Sequence, residues 1–78
     1  MDIYRGSLVY SRAGHDKGGL FLVLDVKDGF AYLADGHLRQ VLKPKKKKLR
    51  HLNKTNTVID ADFENLSDSD VRKILAEY

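Results

Sequence analysis

Two Asp-Gly dipeptides, Asp28-Gly29 and Asp35-Gly36, stand seven residues apart in the middle of the chain. Asp-Gly is among the strongest short hairpin signals, because both residues tolerate the positive φ that two-residue turns require. Spaced this closely, the turns predict a meander of short antiparallel strands at about Leu20–Val26, Phe30–Ala34 and Leu38–Leu42. In the first of these, Leu20, Leu22, Leu24 and Val26 share one face, and Phe21 and Val23 share the other with Asp25. Apolar residues on both faces predict a strand covered from two sides, as in a small closed barrel. An earlier strand is expected at about Ser7–Ser11, and Pro44 confines its own segment to an edge or a loop. Leu49 and Leu52 are then placed to close the barrel with a last short strand.

The final segment carries a helix signal. Ser67 is a good N-cap, Asp70 lies three residues on as its capping-box partner, and Leu66 with Val71 fits a hydrophobic staple. Val71, Ile74, Leu75 and Tyr78 recur at helical spacing and form one apolar stripe. A helix of about twelve residues is marginal alone, so it is expected to dock, on its own barrel or on a partner. The organisation predicted is a barrel over residues 1–53, a polar and acidic linker over 54–66, and an amphipathic helix over 67–78.

A chain of 78 residues is one domain at most, near the lower size at which a core suffices without staples. It contains no cysteine, which excludes disulfides and thiolate metal sites and suits a reducing compartment. No apolar run approaches the roughly 18 residues of a membrane span. Met1-Asp2-Ile3-Tyr4-Arg5 has neither a basic start nor an apolar signal region, so the expected location is cytoplasmic, with no membrane contact.

The net charge of +3 is unevenly divided. Residues 1–56 hold 12 Lys/Arg against 5 Asp/Glu, whereas residues 57–78 hold 2 against 6. A basic body with an acidic tail points to a polyanion as partner of the body. Two stretches concentrate the cations. One is the loop Ser11-Arg12-Ala13-Gly14-His15-Asp16-Lys17-Gly18-Gly19, set between apolar runs, with Asp16 its only acid. Three glycines within it imply positive φ or a close approach, and the loop is suited to offer cations and backbone amides to an anion. The other is the run Lys43, Lys45, Lys46, Lys47, Lys48 and Arg50, with Arg39 just before it and Lys54 after. Lysine binds phosphate as a point charge, and Arg12 and Arg39 can add bidentate hydrogen bonds. Lysine also suits an edge strand, where it blocks unwanted pairing.

The segment Gly6–Gly18 followed by Leu20–Val26 resembles a KOW motif, in which a strand, a glycine-bearing loop and a second strand contact RNA. The continuation through Ala34-Asp35-Gly36, Leu38-Arg39-Gln40-Val41, Lys43-Pro44-Lys45 and Leu49-Arg50-His51-Leu52 resembles the large-subunit ribosomal protein fourteen family of eukaryotic and archaeal type, and its short bacterial relatives. The likeness covers about residues 3–52. It implies a mainly β fold, a small SH3-like barrel of about five short antiparallel strands, here followed by the C-terminal α-helix. It also implies RNA binding, typically of ribosomal RNA, with Arg12, Gly14, His15, Lys17 and Gly18 at the positions used near RNA. Nothing is carried over to residues 53–78.

Other chemistry finds little support. His15, His37 and His51 lack metal-ligand spacing, and Asp60-Ala61-Asp62-Phe63-Glu64 lacks the glycine and length of a calcium loop. No serine or threonine sits in a nucleophile signature, and the glycine loop is not a Walker sequence. No enzyme activity and no cofactor are therefore expected. Tyr4, Tyr10, Phe21, Phe30 and Tyr32 are candidates for base stacking, but most are expected in the core, with Tyr10 and Tyr32 partly exposed. Two other functions remain in view. One is a protein-interaction adaptor using a barrel pocket or the acidic helix. The other makes the tail an internal screen that folds over the basic patch and competes with phosphate.

Overall fold

The structure, a computed structural model, describes residues 2–78. Its strands are β1 (Ser7–Ser11), β2 (Leu20–Lys27), β3 (Phe30–Ala34), β4 (Lys45–Lys48) and β5 (Leu52–Val58), followed by one helix, α1 (Asp68–Ala76). All five strands pair antiparallel in one sheet, in the order β4-β3-β2-β1-β5. The fold is thus mainly β with a C-terminal helix. β4 and β5 are the two edges, joined in sequence by a 3-10 turn over Leu49–His51. No ladder links these edges among the described residues, so the expected barrel closure is not formed by strand pairing.

The first Asp-Gly does what its chemistry demands. Asp28 and Gly29 take φ of 54° and 82°, and the flanking Lys27 and Phe30 pair directly. The second does not make a hairpin. The Asp35 carboxylate accepts hydrogen bonds from the backbone N–H of His37 and of Arg39, both at 2.9 Å. Those amides are thereby committed to a local loop, as Asp side chains often arrange. Residues 36–43 accordingly form an irregular loop ending in the isolated Gln40–Lys43 bridge, and the strand expected at Leu38–Leu42 is absent. The partner of β3 is instead the lysine strand β4, at the sheet edge. A further correction concerns the expected linker. Residues 54–58 are the last five of the seven residues of β5, which pairs with β1.

Both faces of the sheet are covered. Val9, Phe21, Val23, Ala31, Leu33 and Leu52 pack with Ile3 on one side. Leu8, Leu22 and Ala34 lie on the other and meet Val71 of α1. A β-bulge at Leu24 sets the division, because the register runs Val23↔Leu33 and then Asp25↔Tyr32. The bulge returns Val26 to the Phe21–Val23 side, whereas unbroken alternation places it with Leu22. Each fully buried Leu or Val contributes about 1.5–3 kcal/mol. Two such clusters on one small sheet replace the missing disulfides.

The helix begins as its sequence predicts. The Ser67 hydroxyl accepts from Asp70 N–H at 3.1 Å, and the Asp70 carboxylate accepts from Ser67 N–H at 3.0 Å. Leu66, Ile74 and Leu75 pack with Val71 against the sheet, so α1 docks on its own domain. Among the described residues no helix is long and apolar enough to cross a membrane.

Candidate nucleic-acid interface

The β1–β2 loop is closed by its own hydrogen bonds rather than forming an open cradle. Gly14 and Gly18 take φ of 72° and 87°, and a Cβ at Gly19 would lie 2.8 Å from the Phe21 ring. The three glycines therefore answer to turn geometry and close approach, as expected. Several of its backbone amides are spent inside the protein. Gly18 N–H donates to Ser11 O at 2.7 Å, Gly19 N–H to Asp16 O at 2.9 Å, and Lys17 N–H to Gly14 O at 3.2 Å. The amides of Lys17, Gly18 and Gly19 are thereby withdrawn from any anion, which corrects the expected contribution of Gly18. What it presents is side chains: Arg12, His15 and Lys17 are all exposed.

Asp16 joins the loop to the rest of the molecule. Its carboxylate accepts a fork from Arg39, with Nε at 3.2 Å from Oδ1 and Nη2 at 3.2 Å from Oδ2. The Lys47 ammonium sits 3.5 Å from the same carboxylate and donates to Ala13 O at 2.7 Å. Strand geometry explains why Lys47 differs from its neighbours. It pairs with the buried Ala31, so it points to the Phe21–Val23 side, and only 8% of its surface remains exposed. Lys46 and Lys48 pair with Tyr32 and Phe30 and point to the other side, where both are exposed. Four identical residues in a row thus have unlike roles, because side chains alternate along a strand. Lys47 and Arg39, expected among the phosphate ligands, are bound internally to Asp16.

The remaining cations lie on both faces of the sheet edge that carries this hub. A shallow depression of about 330 Å³ is lined by Ala13, Gly14, Phe30, His51 and the four lysines of β4. Lys46 holds its ammonium 4.5 Å from the Phe30 ring centroid. Arg12 N–H donates to His51 O at 2.9 Å, which ties the loop to the Leu49–His51 turn and its exposed Arg50. The glycine loop and the lysine strand, 30 residues apart in sequence, therefore adjoin on one side of the molecule. Lys43 is exposed but belongs to the loop over residues 36–43, and it does not line the depression.

Several features escape sequence reasoning. Asp16 stood out as the only acid of a basic loop, and strand alternation would have divided the lysines once β4 was placed correctly. Leu38 and Leu42, expected in a strand, are 86% and 92% exposed. Tyr10 and Tyr32 are partly exposed, as expected, and so is Phe30. In the acidic segment, no carboxylate of residues 57–78 forms an ion pair with a cation of the patch among the described residues. The acid that neutralises patch cations is Asp16. No protein-family model matches the chain, and no curated protein matches it in sequence.

Proposed function

We propose that this chain is a non-catalytic RNA-binding protein of the KOW kind, working in the cytoplasm in association with the ribosome or translation, with structured and typically ribosomal RNA as its ligand. The observation that carries the reading is the junction of the glycine loop with β4, held by Asp16 through Arg39 and Lys47. Around it Arg12, Lys17, Lys45, Lys46, Lys48 and Arg50 are at least partly exposed, with His15 beside them. An array of cations carried on the edge of a folded sheet suits a phosphate backbone. Cations held by a rigid scaffold lose less entropy on binding than a flexible basic tail does.

Binding by four to six of these cations predicts that log K falls with log salt at a slope of about −3 to −5. Replacing Lys46 and Lys48 by glutamate should weaken binding to a structured ribosomal RNA fragment at least about tenfold at moderate salt, with the fold intact by circular dichroism. Unchanged affinity in that double variant removes β4 from the site. Crosslinking in cells followed by sequencing of the attached RNA identifies the ligand, and ribosomal RNA is the expected product. A second reading, a protein-interaction adaptor, is favoured by the exposed Leu38 and Leu42, which stand on a loop pinned by Asp35. A partner peptide bound without salt dependence is its signature.

A further inference from the structure

A second concavity lies outside the depression described above. It is a cleft of about 500 Å³ whose lining includes Arg5, Asp25, Lys27, Tyr32, Phe63 and Glu64. Its size falls within the range of small-ligand sites. Arg5 lies with its guanidinium carbon 5.6 Å from the Phe63 ring centroid and donates from Nε to Leu24 O at 3.1 Å. That leaves an oriented planar cation stacked on an aromatic ring, and its terminal nitrogens have no protein acceptor among the described residues. Asp25 and Glu64 supply carboxylate oxygens at the same cleft, and neither is ion-paired among the described residues.

The register connects this cleft to the basic face. Tyr32 pairs with Lys46 and Phe30 with Lys48, so two rings and two ammonium groups interleave on one face of β3 and β4. Lys27 pairs with Phe30 and extends the same face onto β2. Rings alternating with cations match a strand whose bases are unpaired, since every base has a π-face and every link a phosphate. A duplex keeps its bases stacked inside and offers nothing to Tyr32 or Phe63.

We propose that the cleft receives one unpaired nucleobase, stacked on the ring of Tyr32, with its flanking phosphates on Lys27 and on the Arg5 guanidinium that lies over Phe63. The carboxylates of Asp25 and Glu64 then accept from the exocyclic amino group of an adenine, cytosine or guanine. This rests on the RNA reading above and extends it: the ligand is RNA with a single-stranded or bulged nucleotide next to the segment held by β4.

The test compares an unpaired oligoadenylate with an RNA duplex of equal charge. Tyr32→Leu, checked for folding by circular dichroism, should lose about 5- to 30-fold on the oligoadenylate and less than about twofold on the duplex. Tyr32→Phe, which keeps the ring, should retain the wild-type affinity. In the unaltered protein the Tyr32 ring protons should move upfield in the NMR spectrum when oligoadenylate is added. Equal loss on both ligands, or no loss and no ring shift while the Lys46/Lys48 reversal still weakens both, overturns the cleft proposal and leaves the basic face standing. If the unaltered protein binds neither the oligoadenylate nor the duplex, the RNA reading itself fails, and the cleft proposal falls with it.

Discussion

The Asp16 carboxylate and the Lys47 ammonium are both nearly buried, with side chains 9% and 8% exposed. Removing one member of such a pair strands the other charge away from water, which costs about 3–5 kcal/mol. Asp16→Asn is therefore predicted to destabilise the fold by about that amount in urea denaturation, because Lys47 keeps its charge and loses its counter-ion. Lys47→Met should cost less, since Asp16 retains the Arg39 fork and the methionine stem fills the same space. If Asp16→Asn leaves the urea midpoint unchanged, the pair contributes nothing and the loop is held by its backbone bonds alone. At this scale the sequence showed which residues carry charge but not which charges face solvent. A run of four lysines has no internal contrast, so alternation cannot be read from it until the partner strand is known. Arg39 is a comparable case, a guanidinium that reads as a phosphate fork and is used on a carboxylate of its own chain.

Elements whose signals are local were legible, and elements decided by distant contacts were not. The Asp28-Gly29 hairpin and the Ser67 capping box need only their own few residues, and both formed as read. The Asp35-Gly36 pair has the same local signal, yet the Asp35 carboxylate closes a different loop, and contacts from far along the chain hold that loop. The Arg72 guanidinium donates to Gly36 O at 2.7 Å, and Asp68 accepts from Val41 N–H at 2.8 Å, so α1 holds this loop in place. Polar Lys54-Thr55-Asn56-Thr57 read as linker because it lacks apolar alternation, but its backbone pairs along β1 and Thr55 donates its hydroxyl to Leu8 O. The cap of α1 yields a prediction with a definite pH sign. The backbone N–H of Ser67, then its side chain, hold the Asp70 carboxyl below its ordinary value of 3.8, with Lys73 adding a smaller pull and desolvation opposing. A depressed folded-state pKa means stability that is present above pH 3.8 and lost as pH falls through the lower folded value. Ser67→Ala should destabilise by about 1 kcal/mol at neutral pH yet keep part of this acid dependence, since the backbone N–H of residue 67 remains, whereas Asp70→Asn should abolish it, as read by thermal melts from pH 7 to pH 2. An Asp70 titration at or above its ordinary value by NMR would contradict the capping account.

At the scale of the whole molecule, the acidic tail and the basic body are joined through packing rather than through charge. Residues 57–78 bring Val71, Ile74 and Leu75 onto Leu8 and Leu22, while their carboxylates leave the basic patch unpaired among the described residues. Deleting the tail would uncover Leu8 and Leu22 and remove Val71, all fully buried, at a cost of roughly 5–9 kcal/mol. That is comparable to the entire stability of an ordinary small domain. A chain lacking residues 57–78 is thus predicted to unfold, seen as loss of amide dispersion in NMR, and it cannot report on screening of RNA. Neutralising Asp60 and Asp62 with their amide isosteres keeps α1 and its cap and leaves the cleft residue Glu64 untouched, so it separates the two roles. The change in affinity for a structured RNA should stay below about threefold at 0.15 M salt, since unpaired surface carboxylates act only through screened, longer-range fields. A rise well beyond that, growing as salt is lowered, would mean the tail competes with phosphate after all, and it would have to do so by leaving the sheet face on which α1 is packed.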